Sequence, residues 1–318
     1  MRLSSKARSL IVLAVLLAVA PVFFPSNYYF RIGSLVCVNA LAVVGIVILT
    51  GYAGQISLGH AGFAGIGGYA CALMPVYVGL HPGLSILVGL IISGILAFLI
   101  GRPILRLKGY YLGVASLGFG ILVSMVLNNE VAITGGPDGI KVEDLGLRQA
   151  LAGMGLALTN GQFWYAFSAL SLLAGAWLAL NLHDSASGRA LRALHGSETA
   201  ASTVGIDVAG YKLTAFVISA LYASLAGSLL ALQNRMITPD VAGYMHSIEM
   251  VTMAVLGGAS SVLGGILGAT ILTLLPQALT AFDRYEQVAL GLIMILVMIF
   301  LRQGLLPSLA AAFKGRGA

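Results

Sequence analysis

The sequence predicts an all-α polytopic membrane protein, and three observations carry that prediction. Charged residues make up 9% of the 318 and hydrophobic residues 59%, whereas a soluble domain carries roughly 25% charged residues. Mean hydropathy is +0.98. Apolar runs recur from end to end with no long hydrophilic block, so residues 1–318 read as a single transmembrane domain in the lipid bilayer.

About ten spans are expected: 10–25, 32–50, 58–78, 84–101, 110–128, 163–181, 213–233, 247–257, 263–280 and 286–301. A helical crossing needs roughly 20 apolar residues, so 247–257 is too short alone. It is either continuous with part of the next apolar run or a half-helix ending at Gly257-Gly258-Ala259-Ser260-Ser261, which leaves nine as the alternative count and makes some spans discontinuous. The first run, Leu10 to Phe24, follows Arg2, Lys6 and Arg8 and contains Ala18-Val19-Ala20, in the manner of a signal peptide. Pro21 disfavours cleavage there, and a retained helix is expected. Cys37 and Cys71 lie in apolar runs and read as small packing residues rather than a disulfide.

Basic residues set the orientation. With the N-terminus inside, twelve of the 17 Lys and Arg fall on the cytosolic side, and Arg31, Lys141, Arg148, Arg235 and Arg284 are the five outside. That bias predicts both termini inside. Two segments between spans are long enough to have a role: 129–162 outside, with the turn Thr134-Gly135-Gly136-Pro137-Asp138-Gly139, and 183–212 inside.

Gly51 to Gly68 is the densest signal, with seven glycines in eighteen residues and Gln55, Ser57 and His60 among them. Lipid offers no partner to unpaired backbone groups, so irregular chain at that depth faces protein or a wet cavity. A broken, polar-bearing apolar segment is therefore a pointer to a translocation path. On a helix beginning near Ser57, that residue would be the N-cap and would share a face with His60. Gln55, Ser57 and His60 form a polar constriction, or they satisfy backbone groups freed by the break. Glu249, with His246 and Thr252 three residues to either side, is the single acidic residue expected in a span. It lines an outward vestibule, or it is favoured by the helix dipole in a first turn capped by Ser247.

The inner loop reads as two short helices. Gly188 to His195 places Arg189 and Arg192 on one face and Leu191 and Leu194 on another; Gly196 stops it. Ser197 caps a second helix, Glu198 to Val204, which Gly205 ends. Locally this is an amphipathic pair that lies on the membrane, docks on a partner, or simply connects two spans.

Gly188-Arg189-Ala190-Leu191-Arg192-Ala193, Glu198-Thr199-Ala200-Ala201 and Gly205-Ile206 resemble the coupling loop of ABC importer permeases, above all the LivM-like permeases of the branched-chain amino acid family. The general pattern has Glu where this chain has Thr199, with Glu198 one place early. Gly54 to Ala61, Arg106 to Gly109, Thr134 to Pro137 and Ser247-Ile248-Glu249 with Val255 to Gly258 are similar to the same permeases and occur in the family's order. The resemblance implies a permease subunit of a binding-protein-dependent importer for branched-chain amino acids or related small polar solutes (urea, amides, other amino acids, aromatic acids) in a bacterial inner membrane. It implies a second homologous permease subunit, two cytosolic ATPases and an extracytoplasmic substrate-binding protein. Arg189, Arg192, Glu198, Ala200, Ala201 and Gly205 would meet the ATPases, and Thr134, Gly135, Gly136, Pro137 and Asp138 the binding protein. Gln55, Ser57, His60, Glu249 and Thr252 would line the path.

No GxxxxGK[ST] phosphate cradle occurs, so ATP is expected on partner subunits and no cofactor, metal or nucleic acid on this chain. Two rivals remain. An ion-coupled secondary transporter would use an intramembrane carboxylate, for which Glu249 is the candidate. An intramembrane enzyme would use Gly258-Ala259-Ser260-Ser261 with His60 as base.

Overall fold

The computed structural model describes residues 5–107, 109–153, 155 and 158–278, with isolated positions between 291 and 308. Thirteen helices and one pair of two-residue strands are formed among them. The long ones are α1 (Ser5–Val19, prolonged by a 3-10 turn to Phe23), α2 (Asn27–Ile46), α3 (His60–Val78), α4 (Pro82–Ile104) and α5 (Tyr110–Asn129). After α5 come two short helices, α6 (Val131–Thr134) and α7 (Leu147–Gly153), then α8 (Asn160–Asp184). The loop helices are α9 (Ala186–Gly196) and α10 (Glu198–Thr203), followed by α11 (Val208–Asn234), α12 (Tyr244–Gly257) and α13 (Val262–Ala278).

Among the described residues seven helices are long and apolar enough to cross a membrane, and they coincide with the first seven expected spans. The eighth expected span is α12, a separate 14-residue helix. At about 1.5 Å per residue it is roughly 21 Å long, short of the roughly 30 Å hydrocarbon thickness. Gly258, at φ +111, ends it and α13 turns back along it. The expected span 286–301 lies outside the described residues.

Small residues decide the packing. Helices α2, α3 and α11 form the centre, while α1 and α4 turn most of their surface outward, as lipid-facing helices do. A Cβ on Gly67 of α3 would stand 2.1 Å from the Ser224 carbonyl oxygen, and one on Gly227 of α11 would stand 1.9 Å from that of Ala64. The two backbones are therefore in contact, and only glycine fits at either point. In the α12–α13 hairpin, Gly257, Gly264 and Gly268 make the same kind of approach. Cys37 and Cys71 are buried and free, in keeping with packing roles.

The bundle has two distinct ends. At one, strand β1 (Ile140–Lys141) pairs antiparallel with β2 (Met236–Ile237), and Arg235 bonds Asp144 at 2.6 Å, so residues 140–144 are fastened to the connection from α11 to α12. At the other lie the α2–α3 break, the α9–α10 loop and the α12–α13 turn.

Two helix starts differ from the sequence reading. Helix α3 begins at His60 with Gly59 at its N-cap position, not near Ser57. The backbone before it is held against α5: Leu58 N–H donates to Ser116 Oγ at 3.0 Å, and Gly59 lies so close to the Ser116 carbonyl that a Cβ would be 2.0 Å away. Ser57 Oγ accordingly pairs with the His60 ring rather than capping. Helix α12 begins at Tyr244, after a 3-10 turn at Pro239–Ala242, so Ser247 is inside the helix and does not cap it. Glu249 is therefore beyond the first turn, and the dipole argument does not explain it.

Candidate translocation path and coupling loop

The break between α2 and α3 starts inside the helix. From Val47 to Tyr52 the hydrogen bonds widen to a π-turn, and Ala53 N–H and Gln55 N–H return to the Ile48 and Leu49 carbonyls at 3.3 and 3.1 Å. Such bulges occur within otherwise regular helices, frequently at functional sites. Residues 53–59 then run without helix to His60. The start of α3 leaves N–H groups unpaired, and Ala61 N–H donates to Ser247 Oγ of α12 at 2.9 Å. The freed groups of Leu58 and Ala61 are thus met by hydroxyls from α5 and α12, not by Gln55, Ser57 or His60.

Those three are buried, and they divide into two environments. His60 is fully buried, with Nδ1 3.0 Å from Ser57 Oγ and Nε2 2.7 Å from Ser219 Oγ of α11. Phe63 and Phe216 stand edge-on to its ring at 6.0 and 5.9 Å. Gln55 is 3% exposed, and neither its amide nitrogen nor its amide oxygen has a hydrogen-bond partner among the described residues. A buried amide left so costs about 1–3 kcal/mol.

Glu249 and Thr252 are elsewhere, on the outward face of α12. Glu249 Oε2 lies 3.3 Å from His246 Nδ1, the i−3 contact its spacing suggests, and half of the Glu249 side chain is exposed. Thr252 Oγ1 donates to the Ile248 carbonyl at 2.8 Å. The opposite face of α12 carries Ser247, Met250, Met253 and Ala254 and is buried. The hydrogen bonds of Glu249 and Thr252 thus stay within α12, while those of Ser57 and His60 run between each other and to α11.

The loop 183–212 forms the two short helices that the sequence suggests. Leu191 and Leu194 are buried; Ser197 Oγ accepts from Ala200 N–H at 3.2 Å; and Gly205 takes φ +83 after α10. Arg189 Nη1 donates to the Asp184 carbonyl at 3.0 Å and Arg192 Nη1 to the His183 carbonyl at 2.6 Å, so both cations hold the C-terminal end of α8. Glu198 pairs with the buried ammonium of Lys212, fixing α10 to α11. Ala201 is buried, whereas Ala200, Val204 and Gly205 face outward.

This loop grips the break directly. His195 Nδ1 lies 2.8 Å from the Gly51 carbonyl oxygen, and its ring packs on Gly54, which takes φ +66. The His183 ring meets Tyr52 edge-on at 5.1 Å. On its other side Gly51 rests on the α12–α13 turn, where a Cβ would be 1.7 Å from the Ala259 carbonyl oxygen. Loop, break and hairpin turn are one contiguous stack.

At the opposite end, Thr134 Oγ1 lies 2.7 Å from the Leu127 carbonyl and 2.8 Å from that of Glu130. Gly135, Gly136 and Gly139 all take positive φ. Thr134 and Gly136 are buried in the turn, and Pro137 and Asp138 are exposed at its tip.

Residues 28–300 match the family described as "Branched-chain amino acid transport system / permease component". The chain belongs to that family. It is 33% identical to the high-affinity branched-chain amino acid transport system permease protein LivM of Escherichia coli K12, across 95% of this chain and 75% of that protein. It is 28% identical to LivH of the same strain, across 84% of this chain and 90% of LivH. The ribose import permease protein RbsC of Haemophilus influenzae is 25% identical, across 92% of this chain and 91% of that one. No solved structure matches the chain.

The permease is thus a multi-pass membrane protein and a transport subunit. Its hydroxyls Ser116 and Ser219 and the contact of His195 escape a sequence reading, and Ser247 is read there only as a cap, because a serine in an apolar helix and a histidine at a helix end are commonplace until tertiary contacts give them partners. The pairing proposed for an intramembrane serine enzyme is not formed. Both His60 nitrogens are taken by Ser57 and Ser219, and Ser261 Oγ accepts from Gly264 N–H.

Proposed function

We propose that this permease is one of two membrane subunits of a binding-protein-dependent ABC importer in a bacterial inner membrane, carrying branched-chain amino acids or related small polar solutes. Both termini are inside, so α9 and α10 face the cytosol and meet two separate ATPase subunits, which hold the ATP. Segment 129–162 then faces outward, where Pro137 and Asp138 are exposed to the delivering protein; buried Thr134 and Gly136, with Gly135, shape that turn.

The observation that carries this reading is the hydrogen bond from His195 to the Gly51 carbonyl. It ties the loop expected to meet the ATPases to the broken segment expected to line the path. Arg189 and Arg192 brace that loop on α8, Glu198 and Ala201 seat it, and Ala200 and Gly205 present its outer surface. Movement of α9 would be passed to Gly51 and from there to the α12–α13 turn. Gln55, Ser57 and His60 act at the inner constriction, and Glu249 and Thr252 on the open face of α12, which the second permease subunit completes.

Reconstitution tests the reading. The permease, its homologous partner, both ATPases and the binding protein in liposomes should take up L-leucine only with ATP present. Uptake driven by a proton or sodium gradient without ATP would favour ion coupling through Glu249 and overturn the proposal.

A further inference from the structure

At the end of the bundle opposite α9, helices α2, α8 and α11 leave a cavity of about 440 Å³, a size suited to a small ligand. Asn27, Arg31, Asn160, Gln233, Asn234 and Arg235 line it, so it presents two guanidinium groups and no carboxylate. A neighbouring cavity of about 310 Å³ shares Arg31 and Asn234 as a wall.

The donors are unevenly committed. Arg235 is bonded to Asp144 at 2.6 Å, outside the lining, whereas no acidic group among the described residues pairs with Arg31. Gln233 Oε1 accepts from Ser34 Oγ at 2.8 Å, which orients the amide. Its NH2 group then has only a long contact, 3.5 Å, to the Arg31 carbonyl oxygen. The first turns of α2 and α8 open here at Asn27 and Asn160, adding the positive ends of two long helices. The C-terminal carbonyls of α11 oppose that field, and Arg235 sits where it offsets them. Arg235 is also the one non-glycine residue at positive φ among those described, at +55. Glycine or asparagine would sit there with less strain. Asp144 answers the Arg235 charge from outside the lining, which leaves Arg31 as the cation of the cavity with no acidic partner among the described residues.

We propose that this cavity binds the carboxylate of a small organic or amino acid, with the Arg31 guanidinium as its main partner and the Gln233 and Asn27 amides beside it. Arginine receives a carboxylate through two parallel charge-assisted bonds, which a single amide cannot replace. The proposal does not depend on ATP-driven uptake, because its test needs neither ATPases nor a binding protein.

Trp164 lines the same cavity and supplies the readout, once Trp177, the other tryptophan, is changed to Phe. The full chain in phosphatidylcholine nanodiscs is titrated with isovalerate, L-leucine, isovaleramide and inorganic phosphate while its fluorescence is followed. Isovalerate and L-leucine should give saturable changes, and isovaleramide none. Arg31→Gln should weaken binding about tenfold or more, as loss of a charged hydrogen-bonding partner does, with Arg31→Lys between it and wild type. Arg31 is exposed, and an unchanged melting transition checks that the variants are folded. Equal responses to isovalerate and isovaleramide, a response to phosphate alone, no response to any probe, or full affinity in folded Arg31→Gln would each overturn the proposal.

Discussion

His60 and Gln55 are five residues apart, and the structure treats them oppositely. The imidazole has a serine on each nitrogen and two phenylalanine rings against it, so its burial is compensated. The Gln55 amide has no such partner among the described residues. An unpaired buried amide is costly, so a water, another conformation or a passing solute is needed to meet it. Changing Gln55 to Leu removes two unsatisfied atoms at similar size, which should raise the melting midpoint or leave it unchanged while L-leucine uptake falls. A clear drop in midpoint would mean the amide has a structural partner and would remove it from the path. That Gln55, Ser57 and His60 are candidates was legible in the sequence, since polar side chains are conspicuous in an apolar run. Their partners were not, because Ser219 is 159 residues from His60 in the chain and only the packing of α11 on α3 brings them together.

The elements of the permease were legible to different depths for physical reasons. The long spans follow from apolar length alone, which is why seven of them agree with expectation. The loop helices follow from local capping, with Ser197 and Gly205 performing the roles their types suggest. The starts of α3 and α12 misled, because Ser57 Oγ pairs locally with the His60 ring and Ser247 Oγ accepts from Ala61 N–H of α3, so neither caps its helix. The two breaks were visible as glycine clusters, but not that they touch. Gly51→Ala tests that contact: with a Cβ 1.7 Å from a backbone oxygen, either the π-turn or the α12–α13 turn has to move. Overpacking of this kind costs about 1–3 kcal/mol, and a lower melting midpoint with severely reduced uptake is expected. Wild-type behaviour would show that the two turns separate freely.

The whole molecule is a bundle held at the centre by glycine-mediated helix contacts, with a loop at one end that reaches the proposed path through very few residues. Arg189 and Arg192 hold that loop through the last carbonyls of α8. Reversing both charges sets carboxylates against those oxygens. Arg189→Glu with Arg192→Glu should leave membrane insertion intact and lower co-purification of the ATPases by about tenfold or more, since each charged hydrogen bond is worth about 1.5–3 kcal/mol. Undiminished co-purification would take the ATPase contact away from this loop.

The most direct test is the ratio of L-leucine transported to ATP hydrolysed by reconstituted complexes carrying His195→Ala. That change removes the bond to Gly51 and leaves α9 with its arginines and buried leucines in place. A hydrogen bond of this kind is worth about 1 kcal/mol, and the ratio should fall about fivefold while ATPase association and hydrolysis persist. An unchanged ratio, with the variant fully assembled, would contradict the claim that the loop drives the path through Gly51.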